Sequence, residues 1–408
     1  MLFPLIVSEN KQFEFNPSLL VNDPYPIYRA IRENSPVTYV DSLKAYLISR
    51  YDDCKKILSN VNFLKHPINH DTYLNVEKKF LSENYGKYPK KAEQSILTLN
   101  PPDHTRLRSL VTKAFTPRMV ESLRPFVESI TTNLMDMNTG ESFDMISSIA
   151  APVPAYVIAK MMGVPDSDRD KFKQLSDDLI LSLDPSKGEK AMMKSTKASY
   201  ELASYFNRLI ELKTKEPEDD LISSLIKVKE ADGRISDPEL ISMCVLVLSA
   251  GHETTTNLIG NGFYTLLRNR EQMEILKNDP TILKNGIEEM LRYESPVQLT
   301  SRIAPEDNNI SGVDIKRGIR MIALIGSANR DPDANEDPDA FNVERKNIKH
   351  ISFSEGIHFC LGAPLARMEA EIVFNLLLER YSEAKIAVEP KWKDNMTMRG
   401  LESLVIKP

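Results

Sequence analysis

The sequence predicts a mainly α-helical fold with a minor β portion, built as one large unit over residues 1–408. Three observations lead there. Helical periodicity holds for about two hundred residues beyond Asp103, with apolar positions recurring three and four apart. Strand-like runs are short and lie to either side of it, without the βαβ alternation that a parallel sheet requires. No Pro/Gly/Ser-rich linker, low-complexity tract or internal repeat divides the chain, although its length alone suggests about two or three domains.

The elements follow in order. Asp23-Pro24 opens a helix, two strands are expected near Val37–Val40 and Ala45–Arg50, and another helix starts at Tyr51. From Asn62 to Gln94 periodicity fades while Lys, His and Asn accumulate, so a long irregular stretch is expected. The helical region breaks at Pro152/Pro154, Gly163-Val-Pro165, Asp184-Pro-Ser-Lys-Gly188 and Ala231-Asp-Gly233. Strands return at Gln298–Ala304, Asn309–Ile315 and Arg320–Ile325. An amphipathic helix then runs from Pro364 to Arg380, and the last residues mix short β pieces with turns.

The chain is 41% hydrophobic and 27% charged, with a formal net charge of −6 that argues against general nucleic-acid binding. Cys54, Cys244 and Cys360 lie far apart with no CxxC, which fits neither a disulfide framework nor structural zinc and points to a reducing compartment. The apolar start Met1-Leu-Phe-Pro-Leu-Ile-Val7 is short and lacks a basic region, so it does not read as a signal peptide. No apolar run reaches the length of a membrane span. A cytoplasmic monomer is expected.

Phe353-Ser-Glu-Gly356-Ile-His358-Phe-Cys360-Leu-Gly362 is the most informative stretch. It sets a thiol just ahead of a helix, where orphan N–H groups and the helix dipole favour a thiolate. Gly356 and Gly362 carry no Cβ, so a large flat group can approach the backbone. A soft anionic sulfur there suits haem iron. An isolated Cys is more often an inert buried residue, and the flanking pattern is what favours the ligand reading.

Ser236-Asp-Pro-Glu239 is a capping-box start, and the helix it opens is expected to continue to Arg268, spanning about 48 Å. Met243-Cys-Val-Leu-Val-Leu248 is apolar all round and so buried. Ala250-Gly-His-Glu-Thr-Thr-Thr-Asn257 then interrupts it with polar groups, and local rules broken in a buried element mark functional sites. Thr254 is placed to bond the carbonyl of Ala250 and Gly251 to let something pack on the backbone, leaving a groove with Glu253 and Thr254 beside it. Self-satisfied polar side chains are the plainer alternative.

Glu289 and Arg292 share a helix face, and Arg345 is a candidate third partner if the pair is internal. His104 and Arg108 are also one turn apart, Arg302 ends a strand, and His358 precedes the thiol by two residues. Together they would complement the two propionates of a haem, the alternative being a solvated surface cluster.

These segments resemble the cytochrome P-450 superfamily of haem-thiolate monooxygenases, in its soluble bacterial form. The resemblance covers nearly the whole chain and keeps the motif order: His104-Thr-Arg-Leu-Arg108, Ala250-Gly-His-Glu-Thr-Thr255, Glu289-x-x-Arg292 with Arg345, and Phe353-x-x-Gly-x-His-x-Cys360-x-Gly362. It implies a single haem-enclosing fold with haem b as cofactor and Cys360 as the metal ligand. It further implies that Glu253 and Thr254 are the acid–alcohol pair that delivers protons, and that Glu289, Arg292 and Arg345 form a structural triad. His104, Arg108, Arg302 and His358 become propionate anchors, with Ala250, Phe353 and Gly362 also beside the cofactor. Ser354 stands where many bacterial members carry Gly, and Glu355 beside it is unusual.

By family position the substrate pocket takes in Ile96, Leu97, Leu246, Val247, Ala250, Val297, Leu299, Thr300 and Leu401, mostly apolar residues suited to a hydrophobic small molecule. Polyketide, fatty acyl, steroid and terpenoid substrates are all consistent with it, to be oxidised with O2. No GxGxxG and no flavin domain occur, so electrons are expected from a ferredoxin or flavodoxin and its reductase; Lys113 and Arg118 read as solvated helix residues first, with a basic docking patch as the alternative. A peroxygenase is disfavoured by the Glu253-Thr254 pair. A haem-based gas sensor is the alternative from another class. A zinc protein would need more ligands than His358 and Cys360 offer.

Overall fold

The computed structural model describes residues 19–65, 70–84, 95–138, 140–183 and 187–408. Helices dominate, and one of them organises the rest. Asp237–Arg268, 32 residues long, begins with the expected capping box: the Ser236 hydroxyl accepts from the Glu239 N–H, and the Glu239 carboxylate accepts from the Ser236 N–H. This central helix packs against Pro152–Met161, Gly188–Lys215, Leu283–Tyr293 and Ala363–Tyr381. Buried on nearly all sides, it forms the spine of the largest apolar cluster, together with Val157, Phe206, Met290 and Phe374.

The β portion is small. Strands β1 (Val37–Val40), β2 (Ala45–Ile48), β4 (Leu299–Ile303) and β7 (Arg320–Leu324) form one sheet in the order β1-β2-β7-β4. β1 and β2 are an antiparallel hairpin, and β4 pairs antiparallel with β7. β2 and β7, however, pair in parallel from Ala45↔Arg320 to Ile48↔Ala323. The whole helical body lies between these two strands in sequence, which is why no local βαβ rhythm announces the pair. β5 (Asn308–Ile310) and β6 (Val313–Ile315) make a hairpin whose turn, Ser311-Gly312, has positive φ at both positions. This splits into two strands what the sequence suggested as one run. β3 (Phe143–Asp144), β8 (Lys385–Ile386) and β9 (Val405–Lys407) form a third sheet.

One expectation fails. Within the stretch expected to be irregular, His70–Asn84 is a helix. Its buried Val76, Glu77 and Phe80 meet the helix Gly188–Lys215, with the Phe80 and Tyr200 rings 5.1 Å apart and the Tyr200 hydroxyl 2.9 Å from Glu77 Oε1. A partner remote in sequence supplies what local periodicity lacks. Residues 66–69 and 85–94 of that stretch, and 184–186 of the expected break before Gly188, lie outside the described residues.

Candidate functional site

The thiol loop is shaped by its backbone. Gly356 opens a short 3-10 turn at φ +67°, and a Cβ there would lie 2.9 Å from Ser59 Cα, so this glycine serves contact with the helix Tyr51–Ser59. A Cβ on Gly362 would meet only Cys360 Sγ, at 3.9 Å, which keeps that side of the sulfur open to a flat group. The Cys360 N–H donates to Phe353 O at 2.9 Å and closes the loop. Burial pushes the Cys360 thiol up from its ordinary value. The N–H groups of Gly362 and Ala363 and the guanidinium groups of Arg108 and Arg367 pull the other way. The helix start alone therefore does not outweigh desolvation, whereas a metal cation at the sulfur would deprotonate it.

Around this loop gathers a group of bases, of which His104 and Arg302 are buried and Lys65, Arg108 and His358 half-buried. The His104 and His358 rings lie 4.3 Å apart, and His104 Nε2 has no hydrogen-bond partner among the described residues. Arg302 is 1% exposed; its Nη1 reaches only the carbonyl of Ser301, and its Nη2 is unsatisfied. Arg108 Nη2 donates to Phe359 O at 2.7 Å, and Lys65 Nζ to Thr300 Oγ1 at 2.7 Å. Burial lowers Arg302 to about 10. Burial and the Arg302 charge lower Lys65 to about 7, and burial with four neighbouring bases lowers His358 to about 3. No carboxylate contributes to any of these three shifts. Buried cations are costly unless paired, so this cluster suits an anionic partner, and its residues fit the propionates that a haem would bring. Lys65 gave no sign in the sequence, because it stands at the edge of the aperiodic stretch.

The polar middle of the central helix resolves residue by residue. Thr254 Oγ1 donates to Ala250 O at 2.9 Å, and Thr256 Oγ1 to His252 O at 3.1 Å. Gly251 faces away from the groove envisaged for it: a Cβ there would lie 2.4 Å from Ile158 Cδ1. Asn257 packs on Gly400, and Asn261 Nδ2 donates to Arg399 O at 2.9 Å, so these two hold the C-terminal turn. Glu253, 4% exposed, pairs through Oε1 with Lys393 Nζ at 2.6 Å. Lys393 belongs to a remote segment that no local pattern connects to this helix. Leu246, Ala250 and Thr254, four residues apart, stay at least partly accessible with Val247 beside them, forming one stripe in a stretch where Ser249 and Gly251 are also half-buried.

The other residues expected at a pocket divide by exposure. Leu97 is exposed, Val297 and Thr300 are half-buried, and Ile96 and Leu401 are buried in the main core. Leu299 lies in the apolar cluster with Tyr28, Leu47 and Leu324. Strand alternation puts it on the face of β4 opposite Thr300 and Arg302.

The charged frame is fully internal. Arg292 grips Glu289 with two bonds of 2.7 and 2.8 Å, and Arg345 Nε reaches both oxygens of Glu289 at 3.1 Å. The Asn342 N–H adds 3.0 Å to the same carboxylate. The remaining guanidinium hydrogens go to the carbonyls of Asn329, Pro338, Ala340, Glu336 and Asp337. A buried pair tolerates its desolvation only when its other donors are satisfied in this way. A second frame was not evident from sequence: Arg367 grips Glu288 at 2.6 and 2.8 Å, His350 Nε2 lies 2.9 Å from the same carboxylate, and the Arg367 guanidinium stacks 4.4 Å from the Phe353 ring centroid.

Comparison with known proteins agrees with this geometry. The model of the family described as Cytochrome P450 matches residues 57–406. Cytochrome P450 107B1 of Saccharopolyspora erythraea is 41% identical over 389 residues, covering 93% of this chain and 94% of its own length. Polyketide biosynthesis cytochrome P450 PksS of Bacillus subtilis is 39% identical over 404 residues, covering 97% and 96%. The crystal structure of P450BioI in complex with an acyl carrier protein ligated to hexadec-9Z-enoic acid superposes with a TM-score of 0.86 at 34% identity, covering 94% of this chain and 98% of that one. The chain belongs to the cytochrome P450 family, and it is an oxidoreductase of the monooxygenase type whose family cofactor is a haem held by a thiolate.

Proposed function

We propose that this protein binds haem b through Cys360 and oxidises a hydrophobic small molecule of the polyketide, fatty acyl, steroid or terpenoid type with O2, using electrons from a separate ferredoxin or flavodoxin and its reductase. The observation that carries the reading is the open stripe of Leu246, Val247 and Ala250 running directly into Thr254 and Glu253 on one buried helix. The names of PksS and of the P450BioI complex support acyl and polyketide substrates, including carrier-bound ones.

Haem, when bound, supplies the redox chemistry that activates O2. The chain supplies the rest. His104, Arg108, Arg302 and His358, with Lys65, neutralise and orient its carboxylates by charge-assisted hydrogen bonds. Leu246 and Val247 exclude water and hold the substrate's apolar surface. Thr254, with its hydroxyl hydrogen donated to Ala250 O, presents an oxygen lone pair that can accept a hydrogen bond beside the stripe. Glu253 is the adjacent carboxyl group, and it must leave Lys393 to take up a proton from solvent and pass it towards Thr254. The 408 residues act as one domain, as a monomer, in the cytoplasm. No helix among the described residues is long and apolar enough to cross a membrane.

The test is a panel of lipophilic compounds offered to haem-loaded protein with NADPH and surrogate redox partners. A substrate-induced spin-state shift followed by an oxygenated product is expected. Ligand binding without product under every electron supply would favour a gas sensor, and equal product from H2O2 alone would favour a peroxygenase.

A further inference from the structure

Asp177, His252 and Glu253 each bring one ligand atom to a common point, all within 4.8 Å of one another. Asp177 stands on the helix Arg169–Leu179, while His252 and Glu253 are neighbours on the central helix. His252 Nδ1 lies 3.7 Å from Asp177 Oδ1, too far for a hydrogen bond. The imidazole is 2% exposed, and both of its nitrogens lack a hydrogen-bond partner among the described residues. A buried ring with neither nitrogen satisfied is uncommon enough to require an explanation.

We propose that these three side chains form a binding site for a divalent transition-metal cation of the zinc type. One imidazole nitrogen and two carboxylate oxygens are a donor set suited to zinc, whereas calcium and magnesium favour oxygen alone. The Asp177 side chain is 43% exposed and gives the ion a way in from solvent. Lys173 holds Asp177 Oδ2 at 3.4 Å, which leaves Oδ1 directed at His252. Lys393 already places a positive charge on Glu253 Oε1, and its side chain, 30% exposed, is free to swing outward when a metal takes over that role. The site thus exchanges one cation for another at the same carboxylate.

Binding itself does not depend on the function proposed above, but one consequence does. If Glu253 is the acid that serves Thr254, an occupied site holds its carboxylate still, and zinc slows product formation.

The experiment titrates Zn2+ calorimetrically into haem-loaded wild type, Asp177→Asn and His252→Gln. One saturable site is expected, weakened by more than about tenfold in either variant. Asp177 is partly exposed, so its variant keeps the fold even if His252→Gln does not. The absence of saturable binding, or equal affinity in Asp177→Asn, would overturn the site. Binding that is lost in Asp177→Asn but causes no inhibition in wild type would uphold the site and count against Glu253 as the acid.

Discussion

At Thr254 the hydroxyl bonds back to Ala250 O, a contact that slightly loosens a helix, and its oxygen remains available at the edge of an apolar stripe. Thr254→Ala removes that oxygen while leaving the stripe intact. Substrate should bind with unchanged affinity while NADPH consumption diverts to peroxide, lowering coupling by about tenfold or more; product and peroxide measured per NADPH decide this, and unchanged coupling would take Thr254 out of the proton path. Ser354 is a second single-residue case. Its φ of +63° is a conformation that costs a residue with a side chain about 1 kcal/mol, which is the physical reason glycine suits this position. Ser354→Gly should therefore raise the thermal midpoint, and a lowered midpoint would mean that the Ser side chain makes a compensating contact.

Helices and strands were legible where their signals are local. The capping box, the apolar run to Leu248 and the prolines at helix starts all act within a few residues, so the central helix and the sheet strands stand close to where sequence places them. Signals carried between remote segments were not legible. His70–Asn84 depends on Tyr200, Glu253 is held by Lys393, and the base cluster is completed by Lys65. The Glu288–Arg367–His350 frame belongs to this second kind, and it ties the helix Leu283–Tyr293 to the helix that follows the thiol. Burial would raise the Glu288 carboxyl, but bonds from Arg367 and His350 win and hold it at about 2. A folded value below the unfolded one means that this stability is present above the ordinary carboxylate range and disappears as pH falls through it towards 2. Glu288→Gln should cost about 2 kcal/mol at neutral pH, with the gap to wild type closing on acidification. A gap independent of pH, read from denaturation midpoints across that range, would contradict the assignment.

For the whole molecule, the parallel pairing of β2 with β7 and the turn at Arg399-Gly400, carried on Asn257 and Asn261, bring the strands before the helical region and the segment after it onto one helical body. That closure sets the thiol loop, the buried bases and the central helix into a common frame, with the Glu289 network bracing the segment that leads into the loop. A thiol, five bases with no acid beside them among the described residues, and an accessible stripe would make little sense as separate features. Under the function proposed above they cohere as the two sides of a haem site, and the sulfur–iron bond is the claim on which the others rest. The direct measurement is the absorption spectrum of the reduced protein under carbon monoxide, for wild type and Cys360→Ala. The strongly red-shifted Soret band of a thiolate-ligated haem should appear in wild type and vanish in the variant while haem is still bound; persistence of that band without the Cys360 sulfur would contradict the account.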